Sequence, residues 1–174
     1  MSASQEQLPR PPSSIAVGVL ATVTMDAALV LAGRLGGEAF TCDKLAPEII
    51  GRWAGALCRG RWRHDDIVAE PKMHGELAMG LPTHYVTGFS LTSAYFGLVR
   101  LARVRPGPLK ATAFGAATAL LPFLILYPSW GYGWFGRRSD DAAKLTRIMI
   151  LGHTAFGAGI GVWTEVLSRR APVD

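Results

Sequence analysis

Three ionisable side chains lie inside long apolar stretches of this sequence. They are Asp26, His84 and His153, and Tyr85 directly follows His84. Such residues are costly in an apolar segment and by default suggest a functional site. A carboxylate close to an imidazole can relay protons or hold a cationic group. These residues, with Thr22 one helical turn before Asp26, therefore form a candidate pocket for a ligand or a proton.

The helices that must position these residues are indicated by four long apolar runs, at about 15–35, 79–101, 111–127 and 146–167. Each run approaches the roughly 20 residues that a helix needs to cross a bilayer. The third run has no charge, so it lacks the amphipathic stripe that is typical of a helix in a soluble bundle. The mean hydropathy of +0.24 also favours a membrane protein.

We therefore predict an all-α fold, an integral membrane four-helix bundle with a short interfacial helix in the first loop. The membrane domain is predicted to cover residues 15–168, between a flexible N-terminal tail at 1–14 and a C-terminal tail at 169–174. The bilayer is the expected partner, together with a second copy of the chain or another membrane protein. The expected location is the bacterial inner membrane.

The candidate residues are predicted to lie at one depth in the bundle. In an antiparallel four-helix bundle the first and third loops share a face. Asp26, His84 and His153 each lie about eight or nine residues from that face, or roughly 12–14 Å at 1.5 Å per residue. Small residues four positions away, Gly88 and Gly157 among them, allow close helix packing. Each ionisable residue is therefore expected to face other helices.

Several functions fit such a cluster. It could bind or move a small solute or a proton, or it could only fix helix packing in a structural accessory or assembly subunit. A third reading is a redox protein in which His84 and His153 ligate a b-type haem or a metal ion. No metal-ligand spacing motif supports that reading. The sequence also lacks GxSxG, Walker and GxGxxG motifs, so it does not establish an enzyme.

The long first loop contains further candidates. The stretch APEIIGRWAGALCRG predicts a short helix in the membrane interface, with Trp53 as an anchor and Arg52 off its apolar face. Arg61, His64 and Glu76 follow, and we expect them either to cap the pocket or to form salt bridges at headgroup level. Cys42 and Cys58, also in this loop, could form a disulfide or remain free thiols.

The positions of the charged residues indicate how the chain is oriented in the membrane and which class of partner it meets. The net charge is +5, but the cations flank the apolar runs, so they are expected to meet lipid headgroups rather than nucleic acid. The short second loop has only basic charges, Arg103, Arg105 and Lys110 among them. Short basic loops tend to remain in the cytoplasm, so both termini are predicted to be cytoplasmic.

Six segments of the chain together resemble a known family. They are GRW (51–53), RGRWRH (59–64), HGE (74–76), THYVTG (83–88), YPSWGYGWFG (127–136) and HTAFGAG (153–159). In this order they resemble small bacterial inner-membrane proteins grouped as domain of unknown function family 2938. The resemblance covers about residues 15–167 and implies a four-span bacterial membrane protein. It implies no activity, cofactor or site residue.

Overall fold

A computed structural model describes residues 12–170, and these residues form helices and loops without any β-strand. The prediction of an all-α fold is confirmed. The five main helices are α1 (Ser14–Gly36), α2 (Pro47–Leu57), α3 (Glu76–Leu101), α4 (Pro108–Ser129) and α5 (Ala142–Arg170). The predicted tails fall largely on residues 1–11 and 171–174, which lie outside the described residues.

Three of these helical segments are long and apolar enough to cross a membrane, namely Ser14–Phe40, Pro108–Ser129 and Ala142–Arg169. In the first of them only 22% of the most apolar stretch is buried within the protein. An apolar surface that is so large and so uncovered is typical of a helix in contact with a membrane or another protein. These segments indicate a multi-pass membrane protein. The remaining predicted span, at about 79–101, is helical as part of α3, but α3 is not among these three candidates.

The helix boundaries follow from local sequence. Ser13 precedes α1, and its hydroxyl oxygen accepts a hydrogen bond from the Ala16 N–H at 3.5 Å. Pro47 and Pro108 begin α2 and α4, at positions where the first turn needs no N–H donor. Gly75 lies directly before α3 with a φ of 81°, a conformation that glycine adopts without strain.

Glycines allow the long helices to pack closely. Helix α1 lies between α3 and α5, α5 also packs on α4, and α2 packs on the start of α3. Gly88 of α3 faces Thr22 of α1 so closely that a methyl group there would collide with the Thr22 hydroxyl. Gly115 of α4 and Gly157 of α5 meet in the same way. The small-residue stripes expected from the sequence therefore lie at helix contacts.

Helix α4 changes character in its second half. It is α-helical over Pro108–Thr118 and becomes a π-helix over Pro122–Leu126. Pro122 has no N–H to donate to the preceding turn, so the regular hydrogen-bond ladder cannot continue through it. One turn of α-helix, Tyr127–Ser129, then ends the segment. A π-helical turn inside an α-helix often marks a functional site.

The first and third loops share one end of the bundle, as the sequence predicts. The backbone N–H of His64 donates to the Ser129 carbonyl at 2.8 Å, and that of Ile67 donates to the Trp130 carbonyl at 3.1 Å. A buried cluster fills this end, and we call it the aromatic cap. It comprises Ile49, Ile67, Ala119, Phe123, Tyr127, Trp130, Tyr132 and Leu145.

Candidate functional site

Asp26 is the acceptor of a three-residue hydrogen-bond group between α1 and α3. Its Oδ1 atom lies 3.0 Å from Nε2 of His84, and its Oδ2 atom accepts from the Tyr85 hydroxyl at 3.0 Å. An ionised carboxylate can only accept, so His84 donates from Nε2. In the neutral ring, Nδ1 therefore carries the lone pair. The Asp26 side chain is 39% exposed and that of His84 is 21% exposed, so Asp26 lies nearer the outer surface.

His153 has a separate partner on α4. Its Nδ1 atom lies 2.8 Å from the Thr118 hydroxyl oxygen, which itself lies 2.6 Å from the Gly115 carbonyl. A hydroxyl has one hydrogen, and here it is donated to that carbonyl. His153 therefore donates from Nδ1 to Thr118, and Nε2 of the neutral ring carries the lone pair. The ring nitrogen that carries the lone pair is thus Nδ1 in His84 and Nε2 in His153.

His84 and His153 line one cavity with Thr22. The cavity has a volume of about 380 Å³ and lies between α3 and α4, with α1 and α5 behind it. Asp26 and Tyr85 do not line it, so the predicted five-residue pocket is divided. Thr22, His84 and His153 line the cavity, whereas Asp26 and Tyr85 lie beside His84 and outside the cavity. Among the described residues that line the cavity there is no Asp, Glu, Lys or Arg.

Two tryptophans that the sequence did not single out as ligand contacts line the loop end of this cavity. They are Trp53 of α2 and Trp130, which directly follows α4. The indole nitrogens of both are buried and have no hydrogen-bond partner among the described residues. Buried indole N–H groups usually find an acceptor. The only sequence signal for them was their position in the two loops at this end.

The predicted loop cap forms a separate polar cluster. Arg61 pairs with Glu70, and Nδ1 of His64 lies 2.7 Å from Oε1 of the same carboxylate. Glu76 forms an ion pair with Arg52, at 2.6 Å between Oε1 and Nε. None of the three predicted cap residues lines the histidine cavity. Arg61 instead lines a smaller cavity of about 200 Å³ in the first loop.

Arg52 and Glu70, which connect this cluster, were missed as site residues. Arg52 was expected off the apolar face of α2, but it is only 3% exposed. Its hydrogen bond with Glu76 raises the pKa of Arg52 and lowers the pKa of Glu76, so both remain ionised. The available signal was a single cation between Ile49 and Trp53 in a helix whose only other charged residue is Glu48. A cation at that position needs a buried counter-ion if the helix packs on protein.

The described residues include no cluster of ligands that would support the haem and metal hypothesis. Within the described part of the chain, no group of three or more His, Cys, Asp or Glu side chains is arranged to hold a metal ion. His84 and His153 line the same cavity, but each has one ring nitrogen bonded to Asp26 or Thr118. Each histidine therefore keeps one lone pair for a ligand, and the two do not form a closed coordination shell.

The comparison with known protein families assigns the chain to a family. The family described as protein of unknown function (DUF2938) matches residues 15–167. The chain belongs to this family. The match includes α2, α3 and α4, nearly all of α1 and α5, and all candidate site residues of the DUF2938 protein. The resemblance noted in the sequence is confirmed. Searches of curated proteins and of solved structures gave no match.

Proposed function

We propose that this DUF2938 protein is a four-span membrane carrier that binds a small solute in the histidine cavity and exchanges a proton at His84. The observation that supports this most directly is the position of the His84 ring. It lines the cavity, and its Nε2 atom lies 3.0 Å from the Asp26 carboxylate outside the cavity. One imidazole thus joins the ligand space to an anionic group nearer the surface.

The proposed fourth span is the part of α3 at about 79–101. The whole helix has 26 residues, or ~39 Å at 1.5 Å per residue, which exceeds the ~30 Å hydrocarbon core, so its first turn with Glu76 is placed at the membrane interface. Its outer face exposes large apolar side chains, including Leu77, Val86 and Leu98. Two of its outward hydroxyls are satisfied within the helix, since Thr87 donates to the Thr83 carbonyl at 2.8 Å and Ser90 donates to the Val86 carbonyl at 2.7 Å. Such internal hydrogen bonds lower the cost of placing hydroxyl groups in lipid.

Proton exchange is proposed at the Nδ1 atom of His84. Asp26 accepts from Nε2 and so holds the neutral ring with its lone pair on Nδ1. When Nδ1 takes up a proton, the imidazolium faces the Asp26 carboxylate at hydrogen-bond distance. Tyr85 donates to the second carboxylate oxygen and keeps the carboxylate oriented. The Asp26 carboxylate, held by Tyr85, therefore suits both the neutral and the protonated state of the His84 ring.

The location follows from the charge pattern and the common loop face. The first and third loops share one end of the bundle, so the second loop and both termini belong to the other end. That second loop and the first turn of α4 contain Arg103, Arg105 and Lys110 and no acid. By the positive-inside rule we place it and both termini in the cytoplasm of a bacterium, with the aromatic cap on the outer side of the inner membrane.

Proton movement can be tested in vesicles that enclose a pH-sensitive dye. Under a potassium diffusion potential, vesicles with the wild-type protein are expected to change internal pH several-fold faster than protein-free vesicles. Asp26→Asn is expected to abolish this difference, whereas Asp141→Asn, in the third loop, is expected to retain it. Wild-type vesicles that behave like protein-free ones would refute proton movement, and an active Asp26→Asn protein would refute the role of Asp26.

A structural role is the second candidate, because the same hydrogen bonds also join helices. Asp26 links α1 to two residues of α3, and Thr118 of α4 links to His153 of α5. In an accessory or assembly subunit these contacts would only fix the bundle. The variants would then lower the yield of folded protein in the membrane, and another membrane protein would co-purify with the wild type.

A further inference from the structure

We infer that the histidine cavity takes an uncharged amphiphile, with one hydroxyl or carbonyl head group on a hydrocarbon chain, that enters sideways from the bilayer between α3 and α4. This inference rests on the proposed role of the cavity as a binding site. It deepens that role by naming the class of ligand and the direction from which the ligand comes.

The cavity opens on the side of the bundle, along the second half of a candidate span, Pro108–Ser129. Leu121 and Ile125 of α4 line the cavity and are also 42% and 43% exposed at the protein surface. Thr87 of α3 likewise lines the cavity and is exposed. Helices α3 and α4 approach each other near their connecting loop, where the rings of Tyr95 and Phe114 are 5.3 Å apart. Further along, the cavity separates the two helices.

The cavity is covered at the end that faces the first and third loops. Trp130, which is 2% exposed, lines this end together with Trp53, Leu45 and Ile50. Trp130 belongs to the aromatic cap, where its ring lies 5.8 Å from that of Tyr132. A ligand dissolved in water would have to pass this cluster. A ligand dissolved in lipid meets the opening between α3 and α4 directly.

The lining favours a neutral head group. It contains no charged side chain of fixed sign, so an ionised head group would lose its hydration without gaining a counter-ion. The three threonines of the lining already donate to backbone carbonyls of their own helices, at Gly18, Met79 and Thr83. The hydrogens of these hydroxyls are therefore already used, whereas each histidine keeps one ring nitrogen for a ligand.

Both histidines can accept a hydrogen bond from a ligand hydroxyl. The lone pairs lie on Nδ1 of His84 and on Nε2 of His153, because the other ring nitrogens donate to Asp26 and Thr118. The buried N–H groups of Trp53 and Trp130 supply donors without a partner among the described residues. A ligand hydroxyl or carbonyl thus finds an acceptor or a donor within a lining that is otherwise apolar. The volume of about 380 Å³ is within the range of small-molecule sites.

The test uses a hexadecanol probe that has a photoreactive diazirine on its chain. The full-length protein is placed in phosphatidylcholine nanodiscs, irradiated with the probe and digested, and labelled residues are identified by mass spectrometry. Labelling is expected at the rim around Thr87 and Ile125. Unlabelled hexadecanol and 2-hexadecanone are expected to reduce it at least fivefold. Hexadecanoate at pH 8 and short-chain butanol are expected to leave it unchanged.

Two variants test whether the ligand enters between α3 and α4 and whether its head group binds at His153. Ile125→Trp is expected to reduce rim labelling at least fivefold by narrowing the opening, and His153→Leu by removing a head-group acceptor. Val162→Trp places the same bulk on an exposed position of α5, where Val162 is 52% exposed, and is expected to leave labelling unchanged. Equal competition by hexadecanoate would overturn the neutral head group. Labelling spread over all lipid-facing helices, unchanged by Ile125→Trp, would overturn the site.

The outcome separates this inference from the proposed function. Specific, competed labelling by a protein that moves no protons would retain the ligand class and refute the carrier. Proton movement without competed labelling would retain the carrier and refute the ligand class.

Discussion

Arg52 and Glu76 form a buried ion pair that joins α2 to the first turn of α3. Two nitrogens of Arg52 meet the two carboxylate oxygens of Glu76 at 2.6 and 3.0 Å, and the side chains are 4% and 6% exposed. A further nitrogen of Arg52 donates to the carbonyls of Ile67, Val68 and Glu70 at 2.7–3.2 Å. One side chain thus connects two helices and the loop between them.

Breaking this pair from either side is expected to destabilise the protein strongly. Glu76→Leu leaves the Arg52 guanidinium buried without its counter-ion, and Arg52→Met leaves the Glu76 carboxylate buried in the same way. Each is expected to cost about 3–5 kcal/mol in free energy of unfolding, measured by denaturant titration of the protein in detergent micelles. Lys44→Met, which breaks a half-exposed pair with Asp141, is the control and is expected to cost at most about 1 kcal/mol.

The double variant tests whether the loss comes from the unpaired charge. Arg52→Met combined with Glu76→Leu removes both charges, so its loss is expected to be smaller than the sum of the two single losses. Additive losses would show that the two side chains do not act as a pair. A loss of 1 kcal/mol or less in both single variants would show that the pair contributes little to stability.

The same pair predicts how stability depends on acid pH. Hydrogen bonding to Arg52 lowers the pKa of Glu76 in the folded protein. Its stabilising contribution is therefore complete above the unfolded pKa of about 4.3 and is lost as pH falls through the lower folded value. Glu76→Gln is expected to show a smaller fall in unfolding free energy than the wild type between about pH 4.5 and 2.5. Equal slopes would contradict the assignment.

Asp141 provides the control for this pH dependence. Hydrogen bonding to Lys44 also lowers its pKa, so it titrates in the same acidic range. Its side chain is 33% exposed, however, and its ion pair is screened by solvent. Asp141→Asn is therefore expected to retain most of the wild-type slope.

Packing at Gly88 predicts a matched pair of variants on one helix. A methyl group at Gly88 would collide with the Thr22 hydroxyl across the α1–α3 contact, whereas nothing lies within 4 Å of the same position at Gly97. Gly88→Ala is expected to cost about 1–3 kcal/mol through overpacking. Gly97→Ala is expected to stabilise the protein by up to about 1 kcal/mol through helix propensity. The midpoint of thermal unfolding measures both, and equal shifts would contradict the contact.

Much of the bundle could be predicted because apolar runs and small-residue spacing are local features of a sequence. The stripes at Gly88 and Gly157 lie at helix contacts, and the equal depth predicted for Asp26 and His84 agrees with their hydrogen bond. Depth along a helix follows from a constant rise per residue. Rotation about the helix axis depends on packing. For that reason the sequence could not show that Asp26 lies outside the cavity that His84 and His153 line.

The loop interactions were harder to predict, because they depend on where the chain turns back. Arg52 looked like a solvated cation on a short amphipathic helix, yet the start of α3 and residues 67–70 fold over it. Glu70 gave no sequence signal that it would accept from both Arg61 and His64. Long-range polar pairs of this kind leave no periodic pattern in a sequence, in contrast to the apolar face of a helix.

The two cysteines predict a difference in reactivity. Both are free thiols in the structure, and Cys58 is exposed while Cys42 is partly buried. Burial raises the pKa of the Cys42 thiol, so less of it is the reactive thiolate near neutral pH. Iodoacetamide at pH 8 is therefore expected to modify Cys58 several-fold faster than Cys42, as followed by peptide mass spectrometry. Cys58→Ser is the control and is expected to leave only the slow reaction. Equal rates, or a Cys42–Cys58 disulfide in the non-reduced protein, would contradict this arrangement.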